Sequence, residues 1–270
     1  MHPSTPSSRT RSPSLRRWAA LSSGALLLGA HAAATAQAPA SEGWTFRLGP
    51  TLVAGPTHPG SDQSKLRLLP NFEARRGLLT IDPVLGVGID WQDGSGLRLR
   101  GGIGLDFSAR QAEDDDRLRG LEELKGTAAL RLGAEQRLGP WTVGGRLVSR
   151  LARQSQRGST LDTELGYSLY SGPQGALSSG VSVRWMDGLY ARHFFGIDAS
   201  QAAISGLPVH AAHGGLMSAG LYAQAFERLD ANWSGFARLN LQRLQGDAAD
   251  SPVTRRRLQT TLVLGVSRQF

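Results

Sequence analysis

Leu258-Gln259-Thr260-Thr261-Leu262-Val263-Leu264-Gly265-Val266-Ser267-Arg268-Gln269-Phe270 closes the chain. Leu258, Leu262, Leu264, Val266 and Phe270 fall on one parity, while Gln259, Thr261, Gly265, Ser267 and Gln269 largely fill the other. A period of two is the signature of a β-strand with one apolar and one polar face. The run is about as long as the ~9–11 tilted residues needed to cross a bilayer. It also ends on an aromatic side chain, as the closing strand of a bacterial outer-membrane barrel commonly does. Taken alone, the same pattern fits the edge strand of a soluble sandwich equally well.

The other terminus separates the two readings. Arg9, Arg11, Arg16 and Arg17 precede the apolar run Trp18–Ala30, and Ala34-Thr35-Ala36 follows it. A basic segment, a short apolar segment and an A-x-A site together read as a secretory signal peptide. The apolar run is too short for a spanning helix. Residues 1–36 are therefore expected to be a cleaved leader, and 37–270 a single exported outer-membrane β-barrel domain. No Cys follows the cleavage site, which argues against a lipoprotein.

Composition narrows the chemistry. Downstream of the leader no stretch approaches the ~18 uninterrupted apolar residues of a membrane helix. The chain has 0 Cys, which excludes a disulfide framework, zinc–thiolate sites and Cys nucleophiles. Removing the four leader arginines takes the formal net charge from +8 to +4. That mild positive balance suits an exported chain facing lipopolysaccharide or anionic wall polymer better than one binding nucleic acid.

Alternation recurs along the whole mature chain. Leu97, Leu99, Ile103, Leu105 and Phe107 alternate with Arg98, Arg100, Gly102, Gly104 and Asp106. Ala128, Leu130, Leu132 and Ala134 alternate with Ala129, Arg131, Gly133 and Glu135, and Trp141, Val143, Leu147 and Leu151 follow the Gly139-Pro140 turn. Small and charged residues on the inner parity fit a polar lumen better than a dry sandwich core. The 34 Gly, many of them within strands, suit a curved and closed sheet. Trp233, Phe236, Leu239, Leu241 and Leu244 are not in phase, which predicts a bulge in that strand.

Strand candidates lie near 44–54, 65–75, 78–91, 96–108, 124–138, 141–152, 158–171, 176–187, 215–228, 232–244 and 256–270. This odd number conflicts with the even number usual for bacterial single-chain barrels. Either Pro83 divides Leu78–Trp91, or a strand lies around Tyr190–Ile197; merging two candidates would give ten. An antiparallel up-and-down transmembrane barrel of about 12 strands is the first choice, with 10 the alternative. Tracing back from the last strand makes the connections at 111–116, 187–214 and 246–252 extracellular but places 55–64 at the opposite rim, so one early element is misassigned.

Arg243-Leu244-Gln245-Gly246-Asp247-Ala248-Ala249-Asp250-Ser251-Pro252-Val253 resembles a motif of the MipA/OmpV family of outer-membrane proteins (the MltA-interacting protein family). Gly60-Ser61-Asp62, Leu68-Leu69-Pro70, Gly86-Val87-Gly88, Gly120-Leu121, Phe194-Phe195-Gly196-Ile197 and Ser205-Gly206-Leu207-Pro208 are similar to further family segments in the same order. Arg268 stands where the family commonly has Tyr. The resemblance implies a barrel scaffold rather than a catalyst. One member is described as bridging a membrane-bound lytic transglycosylase and a bifunctional penicillin-binding protein in peptidoglycan synthesis, and others are discussed as adhesins. A family transfers its fold better than its partner.

The chemistry-bearing residues point the same way. His58, His193, His210 and His213 are the histidines of the mature chain, and His210-Ala-Ala-His213 lacks a neighbouring carboxylate. Closed zinc sites take four ligands, so solvated loop histidines are the better reading and no metal is expected. An acyl hydrolase needs a Ser–His pair with an orienting group. Ser149, Ser178, Ser179 and Ser182 lie in strands with no His at matching depth. Gly101–Gly104 precedes no helix and is no phosphate loop. Glu113-Asp114-Asp115-Asp116 lacks the spaced ligands of a calcium loop and is expected to be a solvated acidic turn. Arg255-Arg256-Arg257 pairs chemically with lipopolysaccharide phosphate, although a charged strand end at the interface explains it as well. Asp247 and Asp250, with Pro252, are expected to form a rigid turn at the barrel mouth.

The expectation is thus an outer-membrane β-barrel scaffold of the cell envelope, with no catalytic residues and no cofactor. Its partners would be outer-membrane lipid and lipopolysaccharide, and a lytic transglycosylase and penicillin-binding protein by family resemblance. The alternatives are a small solute channel (porin) or an adhesin, and least of all an acyl hydrolase. A barrel of ten to twelve strands is narrow, and Arg98, Arg100, Arg131, Glu135 and Arg146 are long enough to fill it.

Overall fold

The computed structural model describes residues 43–152 and 156–270; the expected leader at 1–36 lies outside the described residues. The strands are β1 (Thr45–Pro56), β2 (Ser64–Arg76), β3 (Leu79–Asp82), β4 (Gly86–Gln92), β5 (Leu97–Asp106), β6 (Thr127–Leu138), β7 (Trp141–Arg150), β8 (Gly158–Ser171), β9 (Gly175–Met186), β10 (Gly215–Arg228), β11 (Trp233–Leu244) and β12 (Leu258–Gln269). They form a closed barrel in which sequence neighbours pair antiparallel and β12 closes on β1. Three short α-helices, α1 (Gly188–Phe195), α2 (Ala199–Ser205) and α3 (Gly246–Asp250), and a 3-10 turn at Asp116–Leu118 lie in the described connections. None of the described helices is long and apolar enough to cross a membrane.

Twelve strands result because Pro83 interrupts the Leu78–Trp91 candidate, leaving the short hairpin β3–β4. Proline cannot donate to a ladder, and Asp82 Oδ1 accepts from the amides of Val84 and Leu85, both at 2.7 Å, to fix the turn. The alternative strand at Tyr190–Ile197 is instead mostly helix α1. Its initiator is Asp187, whose carboxylate accepts from Tyr190 N at 2.7 Å, an N-cap the strand reading overlooked. The extra hairpin also resolves the misplaced connection. Gly60 O accepts from Arg255 N at 2.8 Å and Arg256 N at 3.0 Å, so the 57–63 loop shares a rim with the 245–257 loop.

The predicted alternation is a real two-faced wall. On β12, Leu258, Leu262, Leu264, Val266 and Phe270 point outward and are exposed, while Val263 and Ser267 are buried inside. Trp44, Phe46, Trp141, Tyr167, Tyr170, Trp233 and Phe270 are all exposed near the short-turn rim, as expected of an aromatic girdle at a membrane interface. The expected bulge in β11 is absent, because its registers with β10 and β12 are unbroken. Phe236 is out of phase because it faces the lumen, opposite Gly265, where a Cβ would lie 2.2 Å from its ring. Register shifts occur instead at Leu216/Ser218 and Ser168/Tyr170.

The wall is uneven in height. β2 pairs with β3 only over Ala74–Arg76, although it pairs with β1 along its whole length. Above the β3–β4 hairpin one edge of β2 therefore has no ladder partner among the described residues. Pro70, opposite Pro50 in the β1–β2 ladder, suits an edge where no N–H is needed.

The two apolar clusters of the described residues lie at the loop rim, as lumenal polarity would require. Leu124, Met186, Tyr190, Ala191, Phe194, Phe195, Met217 and Leu244 form one with Ala212, Ala248 and Ala249. Leu118, Leu121, Ile197, Leu207 and Val253 form the other. The loops thus fold into a cap with its own dry core.

Candidate functional site

Inward parity places arginines and carboxylates of different strands side by side in the lumen. Asp162 (β8) accepts from Arg146 Nη2 (β7) at 2.9 Å and from Arg184 Nε (β9) at 2.5 Å, with all three residues buried. Asp106 accepts from Arg150 Nη1 at 2.5 Å. Asp90 takes Arg75 Nη2 at 2.5 Å and both Nε and Nη2 of Arg98. Glu164 accepts from Arg238 Nη2 at 2.8 Å, and the Arg238 guanidinium lies 4.2 Å over the ring of Tyr222. Gly166 and Gly180 make room for that ring: a Cβ at either would fall 2.4 or 2.9 Å from its atoms. Such pairs offset the desolvation of buried charge only with satisfied geometry, and here Asp90, Asp106 and Asp162 each accept from two or more donors.

The loop rim is closed. Helix α1 turns Tyr190, Ala191, Phe194 and Phe195 into the apolar cap. Arg150 stacks 5.4 Å over the Phe194 ring from below. Arg110 donates to the carbonyls of Phe194 at 2.8 Å and Glu122 at 3.3 Å, tying the 107–126 connection to α1. Burial lowers its pKa to about 10, which leaves it charged at neutral pH.

The short-turn rim is open. Beneath the cap lies a chamber of about 400 Å³ whose wall includes Arg98, Arg100, Arg131, Glu135, Arg137, Arg146, Glu164, Tyr222 and Arg238. Gly139 and Pro140 of the β6–β7 turn and Ser171 and Ala176 beside the β8–β9 turn also line it, so it reaches that rim. Val84 and Leu85 of the β3–β4 turn project into it. The five residues expected to fill the barrel thus all line the chamber, but they leave space between them.

The motif residues near Asp247 are brought together at the cap. Ser251 Oγ donates to Phe195 O at 2.6 Å, and Thr254 Oγ1 donates to Ala248 O at 2.6 Å, so the Gly246–Val253 segment is a rigid turn. The fold supplies His210-x-x-His213 with the carboxylate its neighbours lack. Asp247 Oδ2 accepts from His213 N at 2.7 Å and lies 2.9 Å from its Nδ1, while His210 Nε2 lies 3.2 Å from Asp247 O. Hydrogen bonds from the His213 amide and ring hold the Asp247 carboxyl below its ordinary value. No group of three His, Cys, Asp or Glu among the described residues is arranged to hold a metal.

The expectation of a solvated acidic turn needs correction. Asp114 and Asp115 are buried rather than solvated. Asp114 accepts from Gln111 N at 3.1 Å, and Asp115 accepts from Arg117 N at 2.9 Å and pairs with Arg255 at 3.3 Å. Arg255 also reaches Asp62 at 3.4 Å, and Arg257 pairs with Asp250 at 2.8 Å. Arg255 therefore joins the last connection to the 57–63 and 107–126 connections, Arg257 pairs within its own connection, and Arg256 lies outside these pairs.

Sequence reasoning also missed His58. It is buried with Thr57 and Ser61 beneath the cap, its Nδ1 3.3 Å from Thr57 Oγ1, and Thr57 Oγ1 donates to Ser61 Oγ at 2.8 Å. Burial, then the charge of Arg110, lowers its pKa to about 4. The strand serines have other partners: Ser159 donates to Ser149 at 3.1 Å, Ser179 to Tyr222 O at 2.8 Å, and Ser182 accepts from Gln242 at 3.3 Å.

The family pattern described as "MltA-interacting protein MipA" matches residues 48–270, nearly the whole described barrel. The chain belongs to the MipA family. No curated protein matches the sequence. Among solved structures it is similar to the KdgM porin, with 10% identity, a TM-score of 0.40, and coverage of 83% of this chain and 99% of that one. The NanC porin gives 9% identity, a TM-score of 0.43, and coverage of 81% and 98%. OprB of Pseudomonas putida gives 10% identity, a TM-score of 0.39, and coverage of 84% and 94%. The MipA-family member described here is an outer-membrane-type barrel with a closed loop rim and a chamber open at its turn rim.

Proposed function

We propose that this MipA-family barrel resides in the cell outer membrane as a non-enzymatic scaffold, made by cleavage after Ala36 to leave residues 37–270. Short turns then face the periplasm and the loop cap faces outward, the usual arrangement for outer-membrane barrels. The observation that carries the reading is the cap: Ala191 and Phe195 have 0% exposure, and Arg146, Arg150 and Arg184 beneath them are tied in ion pairs. A lumen so closed is unsuited to bulk transport, and its strand serines have no base beside them. The family description names an interaction with MltA; for this chain the corresponding partners are a lytic transglycosylase and a penicillin-binding protein, reached through the periplasmic turns.

Affinity capture of the intact barrel from detergent-solubilised envelope, alongside an unrelated barrel as control, tests the reading. Enrichment of cell-wall synthetic or hydrolytic proteins is expected, together with no stable conductance in planar bilayers. Steady channels without such enrichment would replace the scaffold with the second reading, a solute channel, which the chamber at the turn rim favours.

A further inference from the structure

The chamber carries a chemistry that scaffolding does not use. Arg100 of β5 and Arg146 of β7 both lie in register with Gly133 of β6, and Arg131 stands two residues farther along β6 on the same face. With strands ~4.8 Å apart and ~3.3 Å per residue, the three stems surround one spot on the wall within about 10 Å. Gly133 leaves that spot open, since a Cβ there would meet its nearest atoms only at 3.8 Å.

The three guanidinium groups are not equally neutralised. Arg146 is paired with Asp162 at 2.9 Å and Arg100 with Asp82 at 3.3 Å. Arg131 donates from Nη2 to the carbonyl of Leu105 at 2.6 Å, and among the described residues no carboxylate lies within ion-pair distance of it. Its Nε is buried without a hydrogen-bond partner. A partly buried cation with no carboxylate within ion-pair distance can gain from an anionic ligand, and a guanidinium fork is shaped for a carboxylate or phosphate. The chamber volume, about 400 Å³, falls at the lower end of the ~300–1,000 Å³ typical of small-ligand pockets.

We propose that the chamber is a binding site for a small oxyanionic solute, entering from the periplasmic rim and held through its carboxylate or phosphate by Arg131 with Arg100 and Arg146 beside it. The cap prevents passage onward, so the site is a cup rather than a pore constriction. It stands whether or not the barrel is a scaffold.

Calorimetric titration of the detergent-solubilised barrel with D-glucose, D-glucuronate and D-glucose 6-phosphate at low salt tests this, because the three share a ring and differ in charge. At least one anion is expected to bind about ten-fold or more tightly than glucose, and which one does so separates the carboxylate source from the phosphate source. Arg131→Gln is expected to weaken that anion about ten-fold, as loss of a charge-assisted hydrogen bond would, and Arg131→Lys to recover part of the loss. Gly133→Leu, which fills the space and leaves every charge in place, is expected to abolish binding and serves if Arg131→Gln does not fold. Equal affinity for glucose and both anions, or unchanged anion binding in folded Arg131→Gln or Gly133→Leu, would overturn the proposal.

Discussion

Ser251 donates its hydroxyl to the carbonyl of Phe195 at 2.6 Å, joining the turn before β12 to the C-terminal residue of α1. Both residues are buried, so the carbonyl has no water to replace a lost donor. Ser251→Ala should lower stability by about 1–2 kcal/mol, the cost of leaving a buried acceptor unsatisfied. Urea titration in detergent checks the magnitude. The barrel should survive while the cap loosens, seen as faster proteolysis of the 187–214 connection; unchanged proteolysis would show that the turn does not hold α1.

Asp162 is the counterion for two buried arginines, Arg146 at 2.9 Å and Arg184 at 2.5 Å. Asp162→Asn keeps the volume and removes the charge, leaving both cations facing each other across β8. The expected loss is about 3–5 kcal/mol, as when one partner of a buried pair is removed. Heat-modifiable gel migration should then convert to the unfolded form at a clearly lower temperature. A transition within a degree or two of the unmodified protein would mean that water already screens this cluster.

Phe270 ends the closing strand with an exposed ring, and its amide donates to Phe46 O at 2.9 Å, fastening β12 to β1 at the turn rim. Deleting it removes one ladder bond and one member of the aromatic girdle. Outer-membrane levels should fall, with degraded or periplasmic protein in their place, measured by fractionation and immunoblot. Normal levels would count against the terminal ring as an assembly determinant.

The wall was legible because a membrane barrel imposes period two on every strand, and β12 shows it undisguised from Leu258 to Phe270. The β3–β4 hairpin was legible as an alternative, since Pro83 offers a reason to turn but does not by itself exclude a longer bulged strand. Helix α1 was not legible. Its segment carries aromatic and apolar residues that suit either a strand or a short helix, and the Asp187 cap decides between them. Asp114 and Asp115 read as solvent-facing because an acidic run usually is; they are buried with local backbone amides of Gln111 and Arg117 as donors and, for Asp115, with Arg255 from a connection distant in sequence. The chamber lay between these cases, because inward parity named Arg131 and Arg146 but only register with Gly133 shows where the space is.

His58 sits at 1% exposure under the cap and has a pKa lowered to about 4, chiefly by burial and next by Arg110. Because its folded value lies below the ordinary value of 6.5, neutral His58 contributes stability that is fully present above that ordinary value. Between pH 6.5 and about 4 the opened cap binds a proton that the closed cap does not, so stability falls as pH falls through this window. The loss should reach on the order of 3 kcal/mol for a shift of this size. Asp247, held below its ordinary carboxyl value by His213, adds a loss in the same direction at lower pH, reduced by its exposure to solvent. Protease sensitivity of the loop rim, followed from pH 7.5 to 4, should therefore rise on acidification, and His58→Gln should flatten the rise between pH 6.5 and 4. A cap equally resistant across that range in the unmodified protein would show that His58 is protonated in the folded state or reached by water.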